Sequence, residues 1–215
     1  MPLHGVIFDL DGTLADTLPV CFAAFREVFR DALGRDYSDQ QVRAMFGPAE
    51  EGVLQRIIPH EWERSLEQYL AAYQRRLHSL CPEPFPGIRW AVDSLRRREV
   101  RMAIVTGKGP QSAAISLREL GLAGIFDPVE AGSPTGGVKP DAMRRVLDSW
   151  GLEPSEVASL GDARPDIESS RQLGMTSLAA SWATTANFEM LSALEPDAIS
   201  QSVEEFHDWI ALNIP

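Results

Sequence analysis

The feature that most constrains this chain is the alternation of short apolar runs with helical periods after residue 86. Ile88, Ala91, Val92 and Leu95 recur at helical spacing, and Val100 to Val105 reads as a strand ending at Thr106-Gly107-Lys108. Ala113, Leu117 and Leu120 mark a helix closed by Gly121, and a short strand is expected within Phe126 to Ala131. A Gly/Pro-rich loop, Gly132 to Val138, leads to Lys139-Pro140, which is assigned to that loop. Met143, Val146, Leu147 and Trp150 mark the next helix. Val157 to Leu160 is a strand ending at Gly161-Asp162, followed by a helix over about 165–173 and a strand over 175–180. A weak strand at Ala198–Ile199 and a helix capped by Ser202 and Glu205 finish the pattern. Strands alternating with helices predict an α/β fold built on a parallel sheet with right-handed crossovers.

One further strand, Leu3 to Phe8, stands at the N-terminus and reads as buried on both faces. Between it and the rest lies a block without strand character. Leu18, Phe22, Phe25, Phe29 and Leu33 trace an amphipathic helix, and Ser38-Asp39-Gln40-Gln41 is a capping box opening a second. Gly47-Pro48 breaks that helix, and helical segments follow at about 49–57 and 61–79. Cys81-Pro82-Glu83-Pro84-Phe85-Pro86-Gly87 reads as a stiff linker. The chain therefore divides into a core of 1–15 and 86–215 and a helical insertion of 16–85, placed to act as a lid.

The first strand ends in Asp9-Leu10-Asp11-Gly12-Thr13. Side chains two apart on an extended chain point the same way, so Asp9 and Asp11 converge and need a cation or a proton between them. In parallel sheets ligands bind at the carboxyl ends of strands, where these acids lie. Thr106, Lys139, and Asp162 with Asp166 fall at or just beyond other strand ends of the same sheet. A net charge of −11 argues against a phosphate-backbone binder, and Arg96-Arg97-Arg98 reads as a solvated helix face. Cys21 and Cys81 have no metal-like spacing; their count alone allows a disulfide, and free, mostly buried thiols are the expectation. Without a signal peptide or a membrane-length apolar run, the expectation is a cytoplasmic protein.

The order Asp9-x-Asp11-Gly12-Thr13, Thr106-Gly107-Lys108, Lys139-Pro140 and Gly161-Asp162-x-x-x-Asp166 resembles the haloacid dehalogenase superfamily over the whole chain. The nearest branch is that of the phosphoglycolate phosphatase-like enzymes. The resemblance implies a Rossmann-like core with a small helical cap inserted after the first strand. It implies Asp9 as the nucleophile and Asp11 as the general acid and base. Gly12 would permit the tight turn after the acids, with Thr13 bracing it through its hydroxyl. Thr106 and the Gly107 N–H would hold the phosphoryl oxygens where a helix begins, and Lys139 would neutralise charge on Asp9 and the transferring group. The acids call for a divalent cation, and an all-oxygen donor set favours Mg²⁺. The implied ligands are Asp9, the Asp11 carbonyl and Asp162, with Asp166 orienting a bound water or Lys139. Where the family often has Asn or Ser, Gly107 leaves only a backbone donor, and Lys108 beside it is expected to be exposed, with a place facing the substrate as the alternative.

An acid at position 11 favours phosphate esters, because dehalogenase relatives lack it: a departing halide needs no proton. A sugar phosphomutase is the nearest alternative. Mutases of the branch carry a cap histidine, which falls here near Cys21, and a basic residue after a cap glycine, where this chain has Gly47-Pro48-Ala49-Glu50. Glu50 and Glu51 put a strongly anionic leaving group in doubt, but they read first as helix N-terminal carboxylates favoured by the macrodipole rather than as substrate contacts. Arg43, His60, Trp62 and Arg64 are candidate specificity residues that read first as surface or packing residues, and Trp182 is a candidate site-lining residue or a core or cap-interface one. A non-catalytic member binding a phosphorylated ligand or a protein partner is the alternative from another class. The intact set Asp9, Asp11, Thr106, Lys139 and Asp162 argues against it. The expected partner is a small phosphorylated metabolite, with no nucleic acid and no membrane, for a monomer or homodimer.

Overall fold

The computed structural model describes residues 2–137 and 139–214. Among them six strands form one parallel sheet. They are β1 (Gly5–Phe8), β2 (Arg101–Val105), β3 (Val129–Glu130), β4 (Val157–Gly161), β5 (Thr176–Ala180) and β6 (Ala198–Ser200). Their order is β3-β2-β1-β4-β5-β6, so β1 lies between β2 and β4. The connections leaving β1's two neighbours run to opposite sides, which opens a crevice beyond the strand ends.

Residues of β1 alternate between two apolar layers, as the all-buried GVIF sequence demands. Val6 and Phe8 face the layer holding α5 (Ile88–Arg97) and α10 (Val203–Asn213), where Phe8 meets Phe126 and Phe206 edge-on. Ile7 faces α7 (Lys139–Trp150), packing with Ala103, Val105, Val146 and Trp150. The crossover helices α6 (Pro110–Glu119) and α8 (Arg164–Leu173) follow β2 and β4.

The block after β1 is entirely helical: α1 (Leu18–Leu33), α2 (Asp39–Arg43), α3 (Glu50–Ile57) and α4 (Trp62–Leu80). The Ser38–Gln41 capping box forms as expected. An aromatic cluster joins α1 to α4, with the Phe25 and Tyr69 ring centroids 4.5 Å apart. The two chain crossings into the block sit side by side, the Phe85 N–H donating to the Leu14 carbonyl at 3.0 Å. Its α4 reaches the core at α6 through Tyr73 and Ser116, whose oxygens are 2.8 Å apart, and through Gln74 to Glu119 at 3.0 Å.

The structure departs from the sequence expectations at a few places. β1 begins at Gly5 rather than Leu3. β3 shrinks to two residues, because Pro128 before it has no N–H and Gly132 beyond it turns back to the Lys108 carbonyl at 2.7 Å. Lys139 opens α7 instead of lying in a loop, with Pro140 in the first turn where a missing N–H costs nothing. A short helix, α9 (Phe188–Ser192), was not expected; the Asn187 side chain caps it by accepting from the Met190 N–H at 2.9 Å.

Candidate active site

The sheet register assembles the site. Phe8 pairs with Ile104 of β2 and Leu160 of β4, so Asp9 is level with Val105 and Gly161, and the residues just past the three strand ends fall within one position of each other. Those residues are Asp9, Thr106 and Asp162. Hydrogen bonds continue the ladder there, Asp9 N–H to Leu160 O at 2.9 Å and Thr106 N–H to Glu130 O at 3.0 Å. All three side chains are buried, and with Asp11, Gly107 and Lys139 they line a cavity of about 660 Å³ beneath α2, α3 and α9.

A tight loop carries the acids. The Gly12 N–H donates to Ala15 O at 2.9 Å, and Leu14 N–H to Leu10 O at 3.0 Å. Gly12 has φ +79°, and a Cβ there would lie 2.2 Å from an Asp162 carboxylate oxygen. Only glycine meets both conditions. The Thr13 hydroxyl does not brace the turn: its Oγ1 is buried without a partner among the described residues. Trp182 braces it instead, the indole N–H donating to the Thr13 carbonyl at 3.0 Å. The sequence signal for this was an indole directly after a strand end of the same sheet.

Asp9, Asp162 and Asp166 each offer an oxygen within 4.8 Å of the others. Lys139 Nζ donates to Asp9 Oδ1 at 2.9 Å and to Asp166 Oδ1. The other Asp166 oxygen accepts from the Ala163 N–H at 3.1 Å, so both its oxygens are engaged. Asp162 accepts no hydrogen bond among the described residues. Burial pushes the Asp9 carboxyl up to about 7, with Lys139 opposing and Asp166 and Asp11 adding to the rise. Burial and the neighbouring Asp9 and Asp166 likewise hold Asp162 well above the usual carboxylate range. For Lys139 burial favours the neutral amine, but Asp166 and Asp9 outweigh it and keep the ammonium. This buried all-oxygen cluster, with one carboxylate lacking any donor, fits a hard divalent cation.

Asp11 is oriented away from this cluster by two donors, the Thr17 hydroxyl and Lys108 Nζ, the latter 3.0 and 3.3 Å from its two oxygens. Lys108, expected at the surface, is buried. Its ammonium also lies 3.1 Å from Cys21 Sγ, 3.8 Å from Glu50 Oε1 and 4.4 Å from the Tyr73 ring centroid. Burial disfavours its charge, yet Asp11 and the surrounding groups raise its pKa well above the ordinary lysine value. Local sequence could not reveal this, because Asp11, Glu50 and Tyr73 come from three distant segments. Cys21 is a neutral thiol: burial pushes it up to about 12 against the pull of Lys108. Both cysteines are free, as expected.

Glu50 is also more than a first-turn carboxylate of α3. It reaches the start of α6, where the Gly109 N–H donates to its Oε2 at 2.5 Å and the Ser112 hydroxyl to its Oε1 at 2.5 Å. Thus the N-terminus of α6 is filled by Glu50, while Thr106 and Gly107 stand on the turn before it. Arg43 sits on the cavity rim, exposed, with its guanidinium 5.5 Å from the Phe22 ring centroid.

A parallel sheet of this order with an acid pair just beyond a central strand defines an α/β protein whose site lies at the strand ends. The model of the haloacid dehalogenase-like hydrolases matches residues 6–180, and the chain belongs to that family. Within it the similarity runs to phosphatases. The chain is 29% identical over 183 residues to the phosphoglycolate phosphatase of Synechococcus elongatus, covering 84% of each. It is 24% identical over 217 residues to pyrophosphatase PpaX of Halalkalibacterium halodurans, covering 99% of each. A predicted phosphoglycolate phosphatase from Haemophilus somnus shares the fold, with a TM-score of 0.81 at 19% identity over 95% of this chain and 96% of that one. The chain is accordingly a phosphatase of the phosphoglycolate phosphatase-like branch. No helix among the described residues is long and apolar enough to cross a membrane.

Proposed function

We propose that this protein is a Mg²⁺-dependent phosphatase that hydrolyses a small phosphorylated metabolite through an aspartyl-phosphate intermediate on Asp9. The observation that carries this reading is the pairing of Lys139 with Asp9 across one end of the sheet. The ammonium lies against Asp9 Oδ1 and opposes the burial that raises this carboxyl, which favours the ionised nucleophile beside a phosphoryl group. Asp9, the Asp11 carbonyl and Asp162 would hold the metal, and Asp166, with both oxygens committed to Lys139 and Ala163, fits a supporting place. When bound, Mg²⁺ supplies charge neutralisation for the acids and the phosphoryl oxygens.

Thr106 and the Gly107 N–H cradle those oxygens. Asp9 attacks phosphorus; the P–O bond to the leaving group breaks, and Asp11 delivers a proton to the departing oxygen. Asp11 then takes a proton from the water that opens the acyl phosphate, returning Asp9. Thr17 and Lys108 orient Asp11 between these steps. Residues 16–85 act as a cap on a core of 1–15 and 86–215, hinged where Phe85 meets Leu14. An intracellular, cytoplasmic setting and a monomer or homodimer fit this reading. Cys21 in α1 and Glu50 in α3 stand where a mutase would need a histidine and a base, which favours hydrolysis over transfer.

The test is phosphate release from an aryl phosphate and a panel of phosphorylated metabolites, with Mg²⁺ and with EDTA. Turnover that requires Mg²⁺ is expected. Absence of turnover across the panel would refute the reading in favour of a ligand-binding member of the fold.

A further inference from the structure

Glu50 places a carboxylate inside the cavity at a position that an anionic substrate group would otherwise use. The N-terminus of a ten-residue helix attracts anions, and α6 presents one beside the phosphate cradle. Here that end is satisfied by the protein itself. Gly109 N–H, Ser112 Oγ and Tyr69 Oη donate to Glu50 at 2.5, 2.5 and 3.4 Å, and Lys108 adds its charge at 3.8 Å. Every one of these partners is a donor, so the arrangement suits a carboxylate. Gly109 is required for it, since a Cβ at that position would lie 2.4 Å from Glu50 Oε2.

The same contact draws α3 onto the core. One residue earlier the Ala49 N–H donates to the Ser133 carbonyl at 2.9 Å, so both walls of the cavity are tied where α3 begins. The remaining surface facing the phosphate site is largely apolar, formed by Leu18, Phe25, Phe46, Val53 and Met190. Lys108 is committed to Asp11 and Glu50, and Glu168 adds a second carboxylate to the lining. Arg43, the remaining cation of the cap side, points from the rim.

Resting on the phosphatase reading, we infer that Glu50 is a specificity residue that selects phosphate monoesters with uncharged, largely apolar leaving groups. It occupies the α6 N-terminus and so repels leaving groups that carry a second anion. The substrates named for the two curated relatives above, a phosphorylated carboxylate and pyrophosphate, are of the disfavoured kind.

The experiment compares kcat/KM for phenyl phosphate with that for 2-phosphoglycolate and for pyrophosphate, in the wild type and in Glu50→Gln. The wild type is expected to favour phenyl phosphate by at least about ten-fold, and Glu50→Gln to narrow that ratio by about ten-fold, a modest change because Lys108 offsets part of the Glu50 charge. The ratio is insensitive to a fraction of misfolded variant, because both substrates lose equally. A wild type that prefers phosphoglycolate or pyrophosphate overturns the inference while leaving the phosphatase reading intact, and needs no variant. A Glu50→Gln enzyme that loses all three activities in proportion overturns it too, assigning Glu50 to cap structure alone. A wild type inactive on every ester refutes the phosphatase reading and this inference with it.

Discussion

Replacing Lys108 with methionine tests the cap–core junction through stability. The side chain is fully buried, and its ammonium is shared by Asp11 and Glu50. Methionine keeps most of the volume and removes the charge, leaving two carboxylates that face a neutral thioether. Breaking a buried ion pair from one side costs about 3–5 kcal/mol. The Asp11 side chain keeps 16% of its exposure and the Thr17 donor, which places the cost near the lower end, about 3 kcal/mol. For a chain of this size each kcal/mol moves Tm by about 2–4 °C, so a fall of about 6–12 °C is expected. Thermal unfolding followed by circular dichroism in EDTA measures it without involving the metal. Adding Glu50→Gln to Lys108→Met should recover part of the loss, because one stranded carboxylate disappears. A Tm within about 2 °C of the wild type would refute the claim that Lys108 neutralises this junction.

Other outcomes follow from the same geometry. Gly12→Ala combines a left-handed backbone with a Cβ 2.2 Å from Asp162, so it should cut kcat by at least about a hundred-fold in a steady-state assay; wild-type turnover would show that the acid loop tolerates a side chain. Trp182→Phe removes the donor to the Thr13 carbonyl and should cost about 1–2 kcal/mol in urea unfolding; no change in midpoint would discount the brace. Asp9 and Asp162 have raised pKa values in the folded state, so the metal-free fold binds more protons than the unfolded chain above about pH 4 and loses stability as pH rises toward about 7. At the proposed Mg²⁺ site protons and the cation would compete for these carboxylates, so Mg²⁺ should raise Tm more at about pH 8 than at about pH 5; a pH-independent shift would contradict that competition.

What could be read in the sequence was set by local chemistry and periodicity. Buried parallel strands leave unbroken apolar runs, so β1, β2, β4 and β5 and the residues that end them were visible, and with them Asp9, Thr106 and Asp162. Helix starts marked by Ser38 and Ser202 were visible because capping uses residues adjacent in sequence. Contacts made across distant segments left no such mark. Lys108 looked like a surface lysine because the acceptors that permit its burial lie 97 and 58 positions away, at Asp11 and Glu50. Glu50 looked like an ordinary first-turn acid because its donors belong to α6. The bracing that the local sequence suggests for Thr13 comes instead from Trp182, 169 residues further along the chain.

In the proposed mechanism Asp9 carries the phosphoryl group during turnover. Borohydride reduces an acyl phosphate but leaves free carboxylates intact, so quenching the working enzyme with it and mapping the peptides by mass spectrometry locates the acceptor. Reduction of residue 9 to homoserine, absent without substrate and absent in Asp9→Asn, is the predicted result. Reduction at Asp11, Asp162 or Asp166 instead, or full turnover by Asp9→Asn, would contradict it.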